Sequence, residues 1–179
     1  MAKTKQKTKS KSPAPTETPE QLYDLALSAL ETSEPELALT HAQRLLKLVQ
    51  SAPTSTSQTV LPALNLLGDI NIELGDADSA RSYFLQAVSA DPDGSVPEAL
   101  GGGAEKFLWL AQLSEEGGAE SVGWFEKGAA VLKAEIAGLE ARESSASEDE
   151  ETEALLEEKR AKLANALCGV VEVYMTDLS

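Results

Sequence analysis

From Thr18 onward, apolar residues recur three and four positions apart. Leu22, Leu25, Ala26, Ala29 and Leu30 follow helical spacing, and so do Leu37, Ala38, Ala42, Leu45 and Leu46. Thr18-Pro19-Glu20-Gln21 places a hydroxyl at N-cap, proline at N1 and Gln at N3, a capping box that predicts a helix start. Ser33-Glu34-Pro35-Glu36 reads as a second capping box, so a second helix running to about Val49 lies antiparallel to the first. Residues 51–58 predict a loop. A third helix starts near Thr59, tolerates Pro62 in its first turn and ends at Gly75. Asp76 caps a fourth that Asp91-Pro92 stops after Ala90. Ser95-Val96-Pro97-Glu98 opens a further helix that Gly101, Gly102 and Gly103 interrupt. Phe107 to Ser114 is helical, Gly117-Gly118 is a turn, and long helices are expected from about Ala119 to Arg142 and from Thr152 to Thr176.

These helix pairs repeat. Leu64, Leu67, Gly68, Gly75, Ala80, Phe84, Ala87 and Pro92 fall at the signature positions of the roughly 34-residue tetratricopeptide unit. Gly68 and Ala80 would let two helices touch, with Leu64, Leu67 and Phe84 filling the space around them. Ala26 to Gly68 and Ala38 to Ala80 span the same 42 residues, so a first unit is in register with the second. The chain therefore resembles the tetratricopeptide repeat superfamily. That resemblance implies an all-α, right-handed solenoid of antiparallel helix pairs, with units at about 19–52, 61–94 and 104–142 and a half-unit at 152–176. In the third unit Phe107, Leu110 and Ala111 fit the first helix. Gly123 or Ser121 would be the small residue of the second, with Trp124-Phe125 the bulky pair. In the half-unit Ala164, Leu167, Cys168 and Val171 form the packing face, and its partner helix is missing. Val170, Val171, Val173 and Tyr174 give little of the polar outer face expected of a terminal cap, so a truncated array is expected.

Charge changes the picture. The chain carries 30 acidic and 15 basic residues, but Lys3, Lys5, Lys7, Lys9 and Lys11 sit in the first twelve positions, which contain no acid. The remainder holds 30 acids against 10 bases, a net of −20. Such a body repels nucleic acid and attracts basic partners. Residues 1–17, Lys-rich and then Pro-rich, have nothing to bury and read as a disordered tail. They could be either a solubilising tail or a nuclear-import signal engaging an import receptor. Glu143 to Glu153, rich in serine and acid, reads as a mobile acidic loop.

Catalytic chemistry finds no residue set. His41 is the sole histidine and reads as a structural surface imidazole; Cys168, the sole cysteine, reads as a small core residue. One His and one Cys build no metal cluster and no nucleophile–base pair. Glycines 101–103 are not followed by the Lys-Ser/Thr of a phosphate loop. No run of apolar residues is long enough to span a membrane, and no apolar signal core follows Met1. The expectation is a protein that is not an enzyme, needs no cofactor and resides in cytoplasm and nucleus.

In tetratricopeptide arrays the first helix of each unit lines a concave groove. Carried onto this sequence, the first unit offers Glu20, Tyr23, Leu27, Leu30 and Glu31, and the second Pro62, Asn65, Asp69, Ile72 and Glu73. The third offers Glu105, Leu108, Gln112, Glu115 and Glu116, and the last helix adds Asn165 and Glu172. Glu recurs at one inner position in Glu31, Glu73 and Glu116. The implied ligand is a Lys/Arg-rich extended segment with a few apolar anchors.

A narrower resemblance follows from the acidic repeat body, the lysine-rich head and three segments. These are Phe107-Leu108-Trp109-Leu110-Ala111-Gln112-Leu113, the Gly-Trp-Phe-Glu-Lys-Gly stretch at 123–128, and Cys168-Gly-Val-Val-Glu-Val-Tyr-Met-Thr-Asp-Leu. Together they resemble the fungal assembly chaperones dedicated to the fourth large-subunit ribosomal protein. That resemblance implies a dedicated chaperone which shields the basic internal loop of a newly made ribosomal protein, escorts it to the nucleus and continues into further repeats. The alternatives are a general tetratricopeptide scaffold and a chaperone of another basic client, such as a histone.

Overall fold

The computed structural model describes residues 17–143 and 150–177. Its helices are α1 (Pro19–Glu31), α2 (Pro35–Ser51), α3 (Leu61–Glu73), α4 (Ala77–Ala90), α5 (Glu105–Gln112), α6 (Gly118–Glu143) and α7 (Glu150–Thr176). Each helix packs on the next along the chain, so antiparallel pairs stack in sequence order as a solenoid. The lysine-rich positions 3–11 and residues 144–149 of the expected acidic loop lie outside the described residues. The flanking residues Glu150, Glu151, Thr152 and Glu153 are not loop but the first turn of α7, where acids favour a helix N-terminus.

The α1–α2 and α3–α4 turns are built alike. After α1, Glu34 N–H donates to Ala29 O and Ser33 N–H to Leu30 O, a Schellman arrangement. After α3, Asp76 N–H donates to Asn71 O and Gly75 N–H to Ile72 O. The left-handed position is Gly75 in one turn and Ser33, at φ 60°, in the other. This corrects the second capping box: Ser33 is used in ending α1, so Glu34 becomes the N-cap of α2 and makes no side-chain cap bond. The Thr18 capping box forms, with Gln21 Oε1 accepting from Thr18 N–H at 3.0 Å.

Small residues set the helix contacts. Ala26, Ala38, Ala42 and Ala80 are fully buried. Gly68 is the seat of the Phe84 ring, since a Cβ there would lie 2.4 Å from Phe84 Cζ. In the third pair the small residue is Ser121 rather than Gly123: Ser121 Oγ donates to Ala111 O at 2.7 Å, whereas Gly123 faces open space.

The expected helix at Ser95–Glu98 is only a single 3₁₀ turn at Glu98–Leu100. The glycine run breaks the helix rather than kinking it. Gly101, at φ 80°, lies so close to α3 that a Cβ would come within 2.7 Å of Pro62 N. The linker is fixed by a buried ion pair: Lys106 Nζ donates to Asp91 Oδ2 at 2.8 Å and to Gly103 O at 2.8 Å. Asp91 Oδ1 accepts from the N–H groups of Ser95 and Val96, so the C-cap residue of α4 also shapes the linker through its carboxylate.

α7 packs on α6 through Leu156, Leu163, Ala166 and Gly169. A Cβ on Gly169 would lie 2.6 Å from Phe125 Cζ, repeating the Gly68–Phe84 contact. The opposite outcome holds for the packing face expected of Ala164, Leu167, Cys168 and Val171. All four are exposed, because no described helix covers that side of α7. Cys168 is therefore not a core residue. His41 is half-buried rather than on the surface, with Nδ1 enclosed.

Candidate binding groove

Residues spaced three, four and seven apart share one helix face. On α1 this aligns Glu20, Tyr23 and Asp24; on α3, Pro62, Asn65 and Asp69; on α5, Glu105, Leu108, Trp109 and Gln112. On α7 it aligns Lys162, Asn165, Ala166, Gly169 and Glu172. The structure brings these faces onto two adjoining cavities. One, of about 680 Å³, is lined by the α1 and α3 faces, Glu98, Gly101, Gly102 and Glu105, with Leu45, Val49 and Phe84 among its apolar lining. The other, of about 480 Å³, lies between the α5 and α7 faces, with Phe125 from α6 also in its lining. Glu105 lines both.

Of the residues expected from sequence, Glu20, Tyr23, Asn65, Asp69 and Glu105 line the first cavity. Glu105, Leu108, Gln112, Asn165 and Glu172 line the second. Leu27 is exposed and Ile72 packs against the Ala80–Phe84–Leu110 cluster, so neither lines a cavity. The recurrent glutamates lie elsewhere. Glu31 and Glu73 are the last residues of α1 and α3, while Glu115 and Glu116 lie in the α5–α6 turn. Glu115 faces Arg81 of α4 at 3.9 Å. Sequence reading missed Asp24, one residue beyond Tyr23 on the same face, and Glu98, which only the folded linker brings in.

The first cavity is strongly acidic. Glu20, Asp24, Asp69, Glu98 and Glu105 line it and no Lys or Arg does. Burial, with Glu105 as a second cause, pushes the Asp69 carboxyl up to about 6, against a hydrogen bond from Trp109 that lowers it. The Tyr23 hydroxyl is raised by burial and then by the charges of Asp69 and Asp24. Asn65 Nδ2 donates to Gly101 O at 2.7 Å, while its enclosed Oδ1 has no partner among the described residues. At the α7 end, lysines offset the acids. Lys159 Nζ bridges Glu98 and Glu135 at 2.7 and 2.8 Å. Lys162 Nζ stands 3.5 Å from Glu105, 3.9 Å from Glu98 and 2.9 Å from Glu158. Among the described residues, Glu20, Asp24 and Asp69 have no cation at ion-pair distance. No cluster of His, Cys, Asp or Glu among those residues is arranged to hold a metal, and no helix is long and apolar enough to cross a membrane.

Stacked helix pairs with small residues at the crossings and an inner face built from the first helix of each pair characterise the tetratricopeptide class of all-helical solenoids, and the chain has that fold. The tetratricopeptide repeat family model matches residues 19–93. Within that class the chain is homologous to assembly chaperones of a ribosomal protein. It is 51% identical over 117 residues to the probable assembly chaperone of rpl4 of Emericella nidulans, and 32% identical over 116 residues to that of Schizosaccharomyces pombe. Each match covers 65% of this chain but only 30% and 29% of the relative. A solved structure, the assembly chaperone of RpL4 (Acl4, residues 1–338), superposes with a TM-score of 0.80 at 49% identity. It covers 90% of this chain and 56% of that one.

Proposed function

We propose that this chain holds a Lys/Arg-rich extended segment of a ribosomal protein in its concave groove and shields it before assembly into the large subunit. The observation that carries this reading is the first cavity, where five carboxylates surround an apolar floor with no basic residue in the lining. Apolar anchors of a client would sit on the partly exposed Tyr23, Val49 and Pro62, and its cations would meet Asp24, Asp69 and Glu105. The relatives' names supply the client class. Residence in both cytoplasm and nucleus belongs to the same proposal, with the lysine-rich tail offered to an import receptor.

Charge reversal tests it. Titration with a fluorescent peptide from the basic internal segment of the ribosomal protein should show strong salt dependence. Asp24→Lys, Asp69→Lys and Glu105→Lys should together weaken binding by at least about 10-fold, roughly 1.4 kcal/mol. Glu31→Lys, Glu73→Lys and Glu116→Lys, which lie outside both cavities, should have much smaller effect. Equal losses from the two sets, or binding indifferent to salt, would overturn the groove assignment.

A further inference from the structure

We infer that the lysine-rich positions 3–11 are an intramolecular occupant of the α1–α3 half of the groove, competing there with the basic client proposed above. The argument begins with the uneven charge of the groove. Its α7 end already takes two lysines from the chain itself, Lys159 at Glu98 and Lys162 at Glu98 and Glu105. Among the described residues its α1–α3 end has none: Glu20, Asp24 and Asp69 line the cavity with no cation at ion-pair distance. An ammonium group carries three donors and suits such a set of carboxylates.

The chain supplies such groups next to that end. Pro19 and Glu20, the first residues of α1, line the cavity. Glu17, just before them, is held by an ion pair to Arg44 of α2. Lys11 is six residues before Glu17, a reach of up to about 20 Å in extended chain. Lys3, Lys5, Lys7, Lys9 and Lys11 occupy alternate positions with no acid until Glu17. In extended backbone they would present one cationic edge with charges roughly 7 Å apart. A short tether of this kind gives an effective concentration on the order of millimolar, enough for a weak charge-complementary segment to occupy the site. The lysine alternation then has a use within the molecule itself, separate from solubility or import.

Zero-length carbodiimide cross-linking of the full chain at low salt, read by mass spectrometry, tests the position directly. Mixing isotope-labelled and unlabelled chains separates links within one molecule from links between two. Links from lysines 3–11 should concentrate on Glu20, Asp24, Asp69 and Glu105, and should fall in Asp69→Asn/Glu105→Gln and at high salt. Equal yields on exposed acids away from the groove, such as Glu36, Asp78 and Glu126, would overturn the proposal. A second arm tests competition. The variant with all five lysines changed to Gln should bind a deca-lysine peptide about 3- to 10-fold tighter than the parent at 150 mM salt, where exposed charges beyond about 8 Å are screened. Unchanged or weaker binding contradicts competition. If deca-lysine binds neither chain, the client proposal fails, and the cross-link map still decides where the tail sits.

Discussion

Asp69 shows how a single carboxylate ties stability to binding. Its folded value is about 6 against an ordinary 3.8, so the native state holds the proton more tightly than the unfolded chain. The stability this contributes is fully present below about 3.8 and is lost as pH rises through about 6. Asp69→Asn should therefore be more stable than the parent at pH 7.5, with the advantage vanishing near pH 4, in urea titrations at each pH. The same substitution should weaken binding of a basic peptide at pH 7.5 and flatten its dependence on pH between 5 and 7. In the parent, affinity should rise across that interval as the carboxylate ionises. Gly68 offers a steric counterpart. Gly68→Ala drives a methyl into the Phe84 ring and should cost about 1–3 kcal/mol. Gly123→Ala meets open space inside a helix and should instead stabilise by about 0.5–1 kcal/mol. Periodicity made Gly68 and Phe84 legible as neighbours, because both carry a repeat signature. It gave no sign that Asp69 would be half-buried beside Glu105, since that depends on how closely α5 approaches α3.

At the scale of elements, helix starts and stops were readable wherever a proline or a capping residue acts locally, as at Thr18, Pro62 and Asp76. The exception is Ser33, where two motifs compete for one residue and the Schellman turn of α1 prevails over the cap of α2. Ser33→Gly should relieve the left-handed backbone and raise stability by about 1 kcal/mol in thermal or urea unfolding. The 95–104 linker was not readable because its determinants are tertiary. Asp91 meets Lys106 across 15 residues and Glu98 meets Lys159 across 61. Lys106→Met leaves the Asp91 charge buried and unpaired, which should cost about 3–5 kcal/mol. Lys106→Met/Asp91→Asn should recover part of that loss, because Asn can still accept from Ser95 and Val96. By contrast, Leu167→Ser and Val171→Ser on the exposed side of α7 should leave stability within about 0.5 kcal/mol of the parent.

Across the whole molecule, the solenoid was legible because each pair repeats the same small-against-large packing, and the acidic character was legible from composition. The distribution of charge was legible only in part. The glutamates that recur by position, Glu31, Glu73 and Glu116, lie at helix ends and turns, whereas Glu20, Asp69 and Glu105 line the cavity at expected groove positions and Asp24 and Glu98 join them from outside that pattern. A body of this net charge repels itself, so its melting temperature should rise by a few degrees, roughly 1 kcal/mol, between 20 and 500 mM salt in circular dichroism melts. The lysines that Glu98 and Glu105 recruit from α7 have a further consequence. Because they neutralise one end of the groove and leave the other bare, the groove has a polarity. On the reading proposed above, a client whose cations cluster toward one terminus has one favourable direction in which to lie, and the same residues in reversed order would meet Lys162 where they need carboxylates. Direction, then, is written into the groove by the protein's own lysines.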